Sequence, residues 1–103
     1  MSHNIGILPS IFTDSTGTNS TITSHTGSEE VYLIDNNASA VTITIPAGST
    51  VEAGYKYQIK RLGSGGVTVT PSSGTIETVP SFSLGAQFDS ITLISNGSNW
   101  LLI

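Results

Sequence analysis

Short runs of alternating apolar and polar residues, separated by turns rich in Gly, Ser and Asn, fill most of the chain from residue 29 to residue 103. The plainest run is VTITI at residues 41–45, where apolar side chains recur at every second position. A period of two places these side chains on one face of a β-strand. Similar runs occur at residues 55–59, 67–70 and 91–103, and no segment shows helical periodicity. The sequence predicts an all-β protein.

The links between these runs are short, as in GSGG at residues 63–66 and PSSG at residues 71–74. Short links join antiparallel neighbours, because a parallel pair requires a longer crossover. We therefore interpret GSGG as a hairpin turn, and NGSN at residues 96–99 as a second hairpin signal. The prediction is about six to nine antiparallel strands in a β-sandwich or a partly open barrel of jelly-roll type.

Composition excludes several classes of function. Only three residues are basic and seven are acidic, which gives a net charge of −4, whereas Ser and Thr are abundant. Nucleic-acid binding needs clustered cations, and the three present, Lys56, Lys60 and Arg61, are expected on a solvated strand face.

Cysteine is absent, so no disulfide or thiolate metal site can form. No secretory leader or membrane-spanning apolar run is visible, which predicts synthesis in a cytoplasm and no membrane partner.

The first 28 residues differ from the rest. An apolar cluster near the start is followed by TDSTGTNST at residues 13–21, which is polar and rich in turn-forming residues. This pattern fits an N-terminal arm, polar and partly extended, in front of a β-domain at residues 29–103. A first strand that packs on its own domain is the equal alternative. The residues of the cluster, and so the candidate docking residues of an arm, are Ile5, Ile7, Leu8, Ile11 and Phe12.

Two runs, VYLI at residues 31–34 and WLLI at residues 100–103, are apolar on both faces. A strand with one wet face should alternate instead. A domain of this size has little material for a third layer, so we expect another copy of the chain to cover these strands. For Trp100, a place in the core is the favoured alternative to anchoring a partner. The candidate interface residues are Tyr32, Ile34, Trp100, Leu101 and Ile103.

Residues that carry chemistry are sparse. The two histidines, His3 and His25, have no carboxylate at a metal-binding spacing. No serine lies in a nucleophile elbow with a base to activate it. Glu29 and Glu30 are adjacent, so on a strand they point to opposite faces and cannot form a catalytic pair. We expect no enzymatic activity, no metal and no cofactor.

The order of the motifs resembles a β-module of tailed-bacteriophage virion proteins, which include tail-fibre and tail-spike segments and capsid decoration proteins. The likeness covers residues 29–103. It is carried by VYLID (31–35), VTITIP (41–46), GYKYQIK (54–60), VTVTP (67–71), GTI (74–76) and ITLISNGSNW (91–100).

The resemblance implies a trimeric, all-β virion structural protein without enzymatic activity. A module that stands almost alone behind a short arm suits a decoration, or cement, protein. Such a protein would assemble in the host cytoplasm, bind the major capsid protein or another virion protein on the capsid exterior, and stabilise the head. The alternative is a receptor-binding or structural module of a tail fibre or spike. A cellular adhesin or carbohydrate-binding module that shares the strand pattern by convergence is a third possibility.

Overall fold

The computed structural model describes residues 8–37 and 39–103. Within these residues the chain forms strands only, apart from one short 3-10 turn at Gly48–Thr50. This confirms the all-β prediction. The strands are β1 (Ser10–Asp14), β2 (Ser20–Thr21), β3 (Glu29–Ile34), β4 (Val41–Ile45), β5 (Lys56–Arg61), β6 (Val67–Pro71), β7 (Phe82–Leu84), β8 (Ser90–Ser95) and β9 (Trp100–Leu102).

The strands form two mixed sheets. Sheet 1 has the order β1-β3-β5-β8-β9, and sheet 2 has the order β2-β4-β6-β7. Up to β6, consecutive strands alternate between the sheets, so that the chain winds around a common core. Each strand therefore lies parallel to the strand one turn earlier, as for Glu29 beside Lys56 in sheet 1 and Val41 beside Val67 in sheet 2. The last part of the chain adds β7, β8 and β9 in antiparallel pairings.

The prediction that all pairs would be antiparallel was wrong, because β1, β3 and β5 are parallel, as are β2, β4 and β6. A jelly roll is built from antiparallel strands. The predicted jelly-roll topology therefore does not describe the parallel pairs among β1 to β6. The links are short because consecutive strands lie in different sheets. The long crossover that a parallel pair needs is supplied by an intervening strand of the opposite sheet.

The GSGG segment illustrates the difference. It is not a hairpin turn but the crossover from β5 in sheet 1 to β6 in sheet 2. It lies directly on the preceding crossover, where the buried Asn36 accepts a backbone hydrogen bond of 2.9 Å from Gly65. A Cβ atom at Gly63 would stand 2.0 Å from the Asn36 carbonyl oxygen. Stacking of successive crossovers therefore requires glycine at this position.

The core lies between the two sheets. It is built from every second residue along the strands, the ones whose side chains face inward. In β4 and β6 these are the Ile and Val side chains, and their Thr neighbours face outward. Trp100 is completely buried, and its indole Nε1 donates a hydrogen bond of 2.9 Å to the carbonyl oxygen of Pro46. Its ring packs against Tyr57, with ring centroids 5.3 Å apart. The prediction of a period-two core is confirmed.

The described part of the N-terminal segment belongs to the two sheets. β1 pairs with β3 in sheet 1, and β2 pairs with β4 in sheet 2. From Ser10 onward the structure thus shows the second of the two alternatives, a first turn that packs on its own domain. Ile22 is buried in the shared core, so residues 10–28 and residues 29–103 are continuous in the fold. In the described part of the chain, no helix is long and apolar enough to cross a membrane.

Candidate functional site

The outer faces of the two sheets differ in chemistry. On sheet 2, the outward positions of β4 and β6 are all threonine, and those of β2 and β7 carry hydroxyls as well. The parallel register aligns Thr42 with Thr68 and Thr44 with Thr70. None of the four strands of sheet 2 contains a charged residue. This is the neutral, hydrated face that a solvent-exposed sheet usually presents.

The outer face of sheet 1 carries apolar side chains on both of its flanks. On the β1–β3 flank, Ile11 lies beside Val31 in register and is 64% exposed. On the β8–β9 flank, Ile94 lies beside Leu101, and the following Ile103 is 68% exposed. Large exposed apolar side chains grouped on one sheet face are typical of a surface that binds another protein. We call this surface the assembly face, and it consists of Ile11, Val31, Leu33, Ile94, Leu101 and Ile103.

A basic strand separates the two flanks. The outward residues of β5 are Lys56, Gln58 and Lys60, at the middle of sheet 1. Lys60 Nζ donates a hydrogen bond of 2.9 Å to the carbonyl oxygen of Phe88 and lies 5.9 Å from the centroid of that ring. Glu29 is the register neighbour of Lys56 across the β3–β5 pair. The face therefore has two apolar flanks with Lys56 and Lys60 between them, and Glu29 lies beside Lys56.

The structure divides the predicted interface residues into two groups. Tyr32, Ile34 and Trp100 point inward, and Ile34 and Trp100 are buried in the core of their own chain. Ile34 is 2% exposed and Trp100 has no exposed surface, so neither can form a substantial contact with a partner subunit, and both positions are corrected to core residues. Leu101 and Ile103 point outward and are exposed. The subunit interface itself stays a prediction. The residues that could form it are the outward ones of β3 and β9, namely Val31, Leu33 and Leu101.

The predicted arm residues are also divided. Ile5 and Ile7 lie outside the described residues. Leu8 is 71% exposed just before β1, and Ile11 faces outward on the assembly face. Phe12 faces the opposite way, and its ring stacks on Tyr32 with centroids 4.9 Å apart. Within β1, therefore, Ile11 and Phe12 belong to different surfaces of the molecule.

Sequence reasoning missed a buried carboxylate. Glu30 has no exposed surface, and its Oε2 accepts hydrogen bonds from Ser24 Oγ at 2.7 Å and from Thr26, whose backbone N–H and hydroxyl both donate. Tyr32 donates to Oε1 at 3.0 Å. Burial by itself would raise the pKa of Glu30, but these hydrogen bonds hold it below its ordinary value. The ionised carboxylate fixes the β2–β3 crossover, residues 22–28, to β3 of sheet 1.

Two tyrosines hold the same crossover. Tyr55 donates its hydroxyl to the carbonyl oxygen of Thr26 at 3.0 Å, and Tyr57 donates to the carbonyl oxygen of Ser24. Burial raises the pKa of Tyr57 and of Tyr55, so both remain neutral donors at ordinary pH. The prediction that Glu29 and Glu30 point to opposite faces is confirmed, and the structure adds that Glu30 is the inner of the two.

Arg61 was expected on a solvated face and is instead buried. Its Nε donates to the Gly63 carbonyl oxygen at 3.1 Å, Nη1 to that of Leu84 at 3.0 Å, and Nη2 to that of Ser64 at 2.6 Å. The alternation of β5 could have identified Arg61 as an inward residue. Tyr57 and Ile59 face inward, and Arg61 follows them at the same spacing of two residues. Arg61 ties the GSGG crossover to the end of β7.

Within residues 8–37 and 39–103, no group of three or more His, Asp or Glu side chains could hold a metal ion. His25 Nε2 lies 3.8 Å from Glu52 Oε2, and both side chains are substantially exposed.

Comparison with known proteins finds no protein-family model that matches the chain and no curated protein with significant similarity to it.

Proposed function

We propose that this chain is a non-enzymatic structural protein of a tailed-bacteriophage virion, a capsid decoration protein that binds the outer capsid surface as a trimer and stabilises the head. The observation that carries the proposal is the assembly face, an exposed apolar surface on a small, charge-poor sandwich. The resemblance of residues 29–103 to virion modules is the reason for assigning the protein to a phage particle. Many copies on a repeating lattice would gain avidity from individually weak contacts.

The charge pattern of the assembly face favours a closed ring of copies. A two-fold dimer that joins two of these faces about their centres would bring Lys56 and Lys60 of both copies together at the middle. Like charges at such a contact are unfavourable. If the β1–β3 flank of one copy meets the β8–β9 flank of the next, both apolar flanks are covered and the cations stay in solvent. A heterologous contact of this kind closes into a ring when the rotation permits.

Light scattering on a sizing column tests the assembly step. The expected mass is near three times the chain mass of 10.7 kDa. Leu101→Asp places a charge on the β8–β9 flank and should shift the mass toward that of one chain. The matched control, Thr44→Asp, places the same charge on the neutral face of sheet 2 and should leave the trimer intact. A monomeric wild-type chain at about 100 μM, or a Leu101→Asp variant that remains trimeric, would contradict the proposed assembly.

A structural or receptor-binding module of a tail fibre or spike is the second candidate. It is favoured by the winding of the chain, because parallel turns stack along one axis and such a stack can be extended by further turns. Gold-labelled antibody against the chain distinguishes the two on negatively stained virions of the source. Label on heads supports the decoration protein, and label on tails supports the fibre module. Virions without label would overturn both.

A further inference from the structure

The first turn of the winding leaves an open cleft between the two sheets. Its volume is about 470 Å³, which lies within the range of small-molecule sites, roughly 300–1,000 Å³. The floor is apolar and is formed by Ile22, Ile34 and Ile43. The stacked rings of Phe12 and Tyr32 form one wall, and Phe12 keeps 38% of its surface exposed. The rim carries hydroxyl side chains, among them Ser15, Thr16, Ser20, Thr21, Thr23 and Ser24.

The charge of the cleft restricts what it can bind. Its lining contains one carboxylate, that of Asp14, and no lysine or arginine. Phosphates, nucleotides and other anions would be desolvated there without a compensating cation, which is unfavourable. A purely apolar ligand would cover the Asp14 carboxylate and the rim hydroxyls without offering them any hydrogen bond of its own. The lining therefore fits a neutral ligand that has both an apolar face and several hydroxyl groups.

The carboxylate of Asp14 is oriented and retains acceptor capacity. Its Oδ1 accepts hydrogen bonds from the backbone N–H of Thr16 at 3.0 Å and from the hydroxyl of the same residue at 2.8 Å. Its Oδ2 accepts one from Ser20 Oγ at 2.6 Å. A carboxylate offers about four acceptor positions, so Oδ2 can accept one more hydrogen bond from a ligand. These contacts also hold the pKa of Asp14 below its ordinary value, with the Ser20 hydroxyl as the main cause.

We propose that this cleft is a binding site for a neutral hexose unit of a glycan. The apolar C–H face of the sugar would pack on the exposed part of Phe12, one sugar hydroxyl would donate to Asp14 Oδ2, and others would exchange hydrogen bonds with the rim hydroxyls. The site does not depend on the assembly face, which is on the outside of sheet 1.

Saturation-transfer NMR on the full chain tests the site, with the methyl glycosides of glucose, galactose, mannose and rhamnose as probes. At least one neutral glycoside should bind saturably, and in correlation spectra of the isotope-labelled chain it should shift the resonances of Phe12 and Ile34. Anionic N-acetylneuraminic acid should not bind. Phe12→Ala should weaken binding about tenfold, because the aromatic surface under the sugar is lost. Phe88→Ala, which removes an exposed aromatic ring outside the cleft, is the matched control and should leave binding unchanged.

Phe12→Leu covers the case in which Phe12→Ala fails to fold. It keeps an apolar side chain against Tyr32, and it should still weaken sugar binding since the flat ring is absent. Circular dichroism reports whether each variant is folded. The proposal is overturned if no neutral glycoside binds saturably, if the anionic sugar binds equally well, or if folded Phe12 variants bind like the wild type.

Discussion

The hydroxyl of Tyr32 donates a hydrogen bond of 3.0 Å to Oε1 of Glu30, two residues earlier in β3, while the other carboxylate oxygen holds Ser24 and Thr26. One buried side chain thus joins sheet 1 to the β2–β3 crossover. A hydrogen bond to a buried charged group contributes more to stability than one between neutral groups. The position of the first turn of the winding therefore depends on Glu30.

Glu30→Gln should lower the free energy of unfolding by about 2 kcal/mol. The amide keeps the size of the carboxylate, but it loses the charge and presents an NH₂ group to at least one donor. Urea denaturation followed by circular dichroism measures the loss. The control is Glu29→Gln on the outer face, which should change stability by no more than about 0.5 kcal/mol. Equal stability of the two variants would contradict the role assigned to Glu30.

Stability should fall at acid pH. The pKa values of Glu30 and Asp14 lie below their ordinary values in the folded chain, so the unfolded chain binds protons more readily. Their contribution is complete above the ordinary carboxyl pKa values of about 4 and is lost as pH falls through the lower, folded-state values. Urea midpoints at pH 7, 5, 4 and 3 should be level to about pH 5 and then decrease. Glu30→Gln should make the decrease shallower, and an identical slope in the variant would count against this linkage.

Gly63→Ala should destabilise the fold by about 3 kcal/mol or prevent folding, because the added Cβ would lie 2.0 Å from the carbonyl oxygen of Asn36, which is a backbone atom and not the end of a flexible side chain. Gly85→Ala is the matched control, since a Cβ there has no heavy atom within 4 Å. It should be neutral or stabilising by up to about 1 kcal/mol. Soluble yield and urea midpoint are the measurements. A Gly63→Ala protein as stable as Gly85→Ala would show that the two crossovers are not in contact.

Arg61→Lys should cost about 2–4 kcal/mol despite keeping the charge. The guanidinium reaches three carbonyl oxygens in a fixed fork, and an ammonium cannot reach the same three, so buried acceptors lose their partners. Lys56→Arg, a reciprocal exchange on the outer face of the same strand, should change stability by less than about 0.5 kcal/mol. The test is the difference in unfolding free energy between the two variants. Two equal values would mean that the Arg61 contacts contribute nothing measurable.

Several elements could be predicted from the sequence because the signal is local. The runs at residues 41–45 and 67–70 became β4 and β6 with their Ile and Val side chains inside. The NGSN segment became the turn of the β8–β9 hairpin, in which Gly97 has a φ of 93°. In both cases the determinant, alternation or turn conformation, is contained within a few neighbouring residues.

The candidate surfaces were less predictable. The sequence showed that residues 31–34 and 100–103 are apolar on both faces, but alternation alone cannot say which face is inside. The structure places Ile34 and Trp100 in the core and Leu101 on the surface. It also brings Phe12 and Asp14 of β1 to one cleft with Ile43 of β4, which is distant from both in sequence. Such a site depends on the strand register between turns.

The sequence by itself determined that this is an all-β protein with a period-two core, because each strand carries its own pattern of apolar and polar residues. Only the tertiary structure decided that the early strands wind between two sheets and pair in parallel. A strand's pattern specifies which of its faces is buried, but both of its edges present the same backbone N–H and C=O groups to any neighbour. The choice of neighbour is therefore made by contacts between turns, such as Gly63 against Asn36 and Glu30 against the β2–β3 crossover.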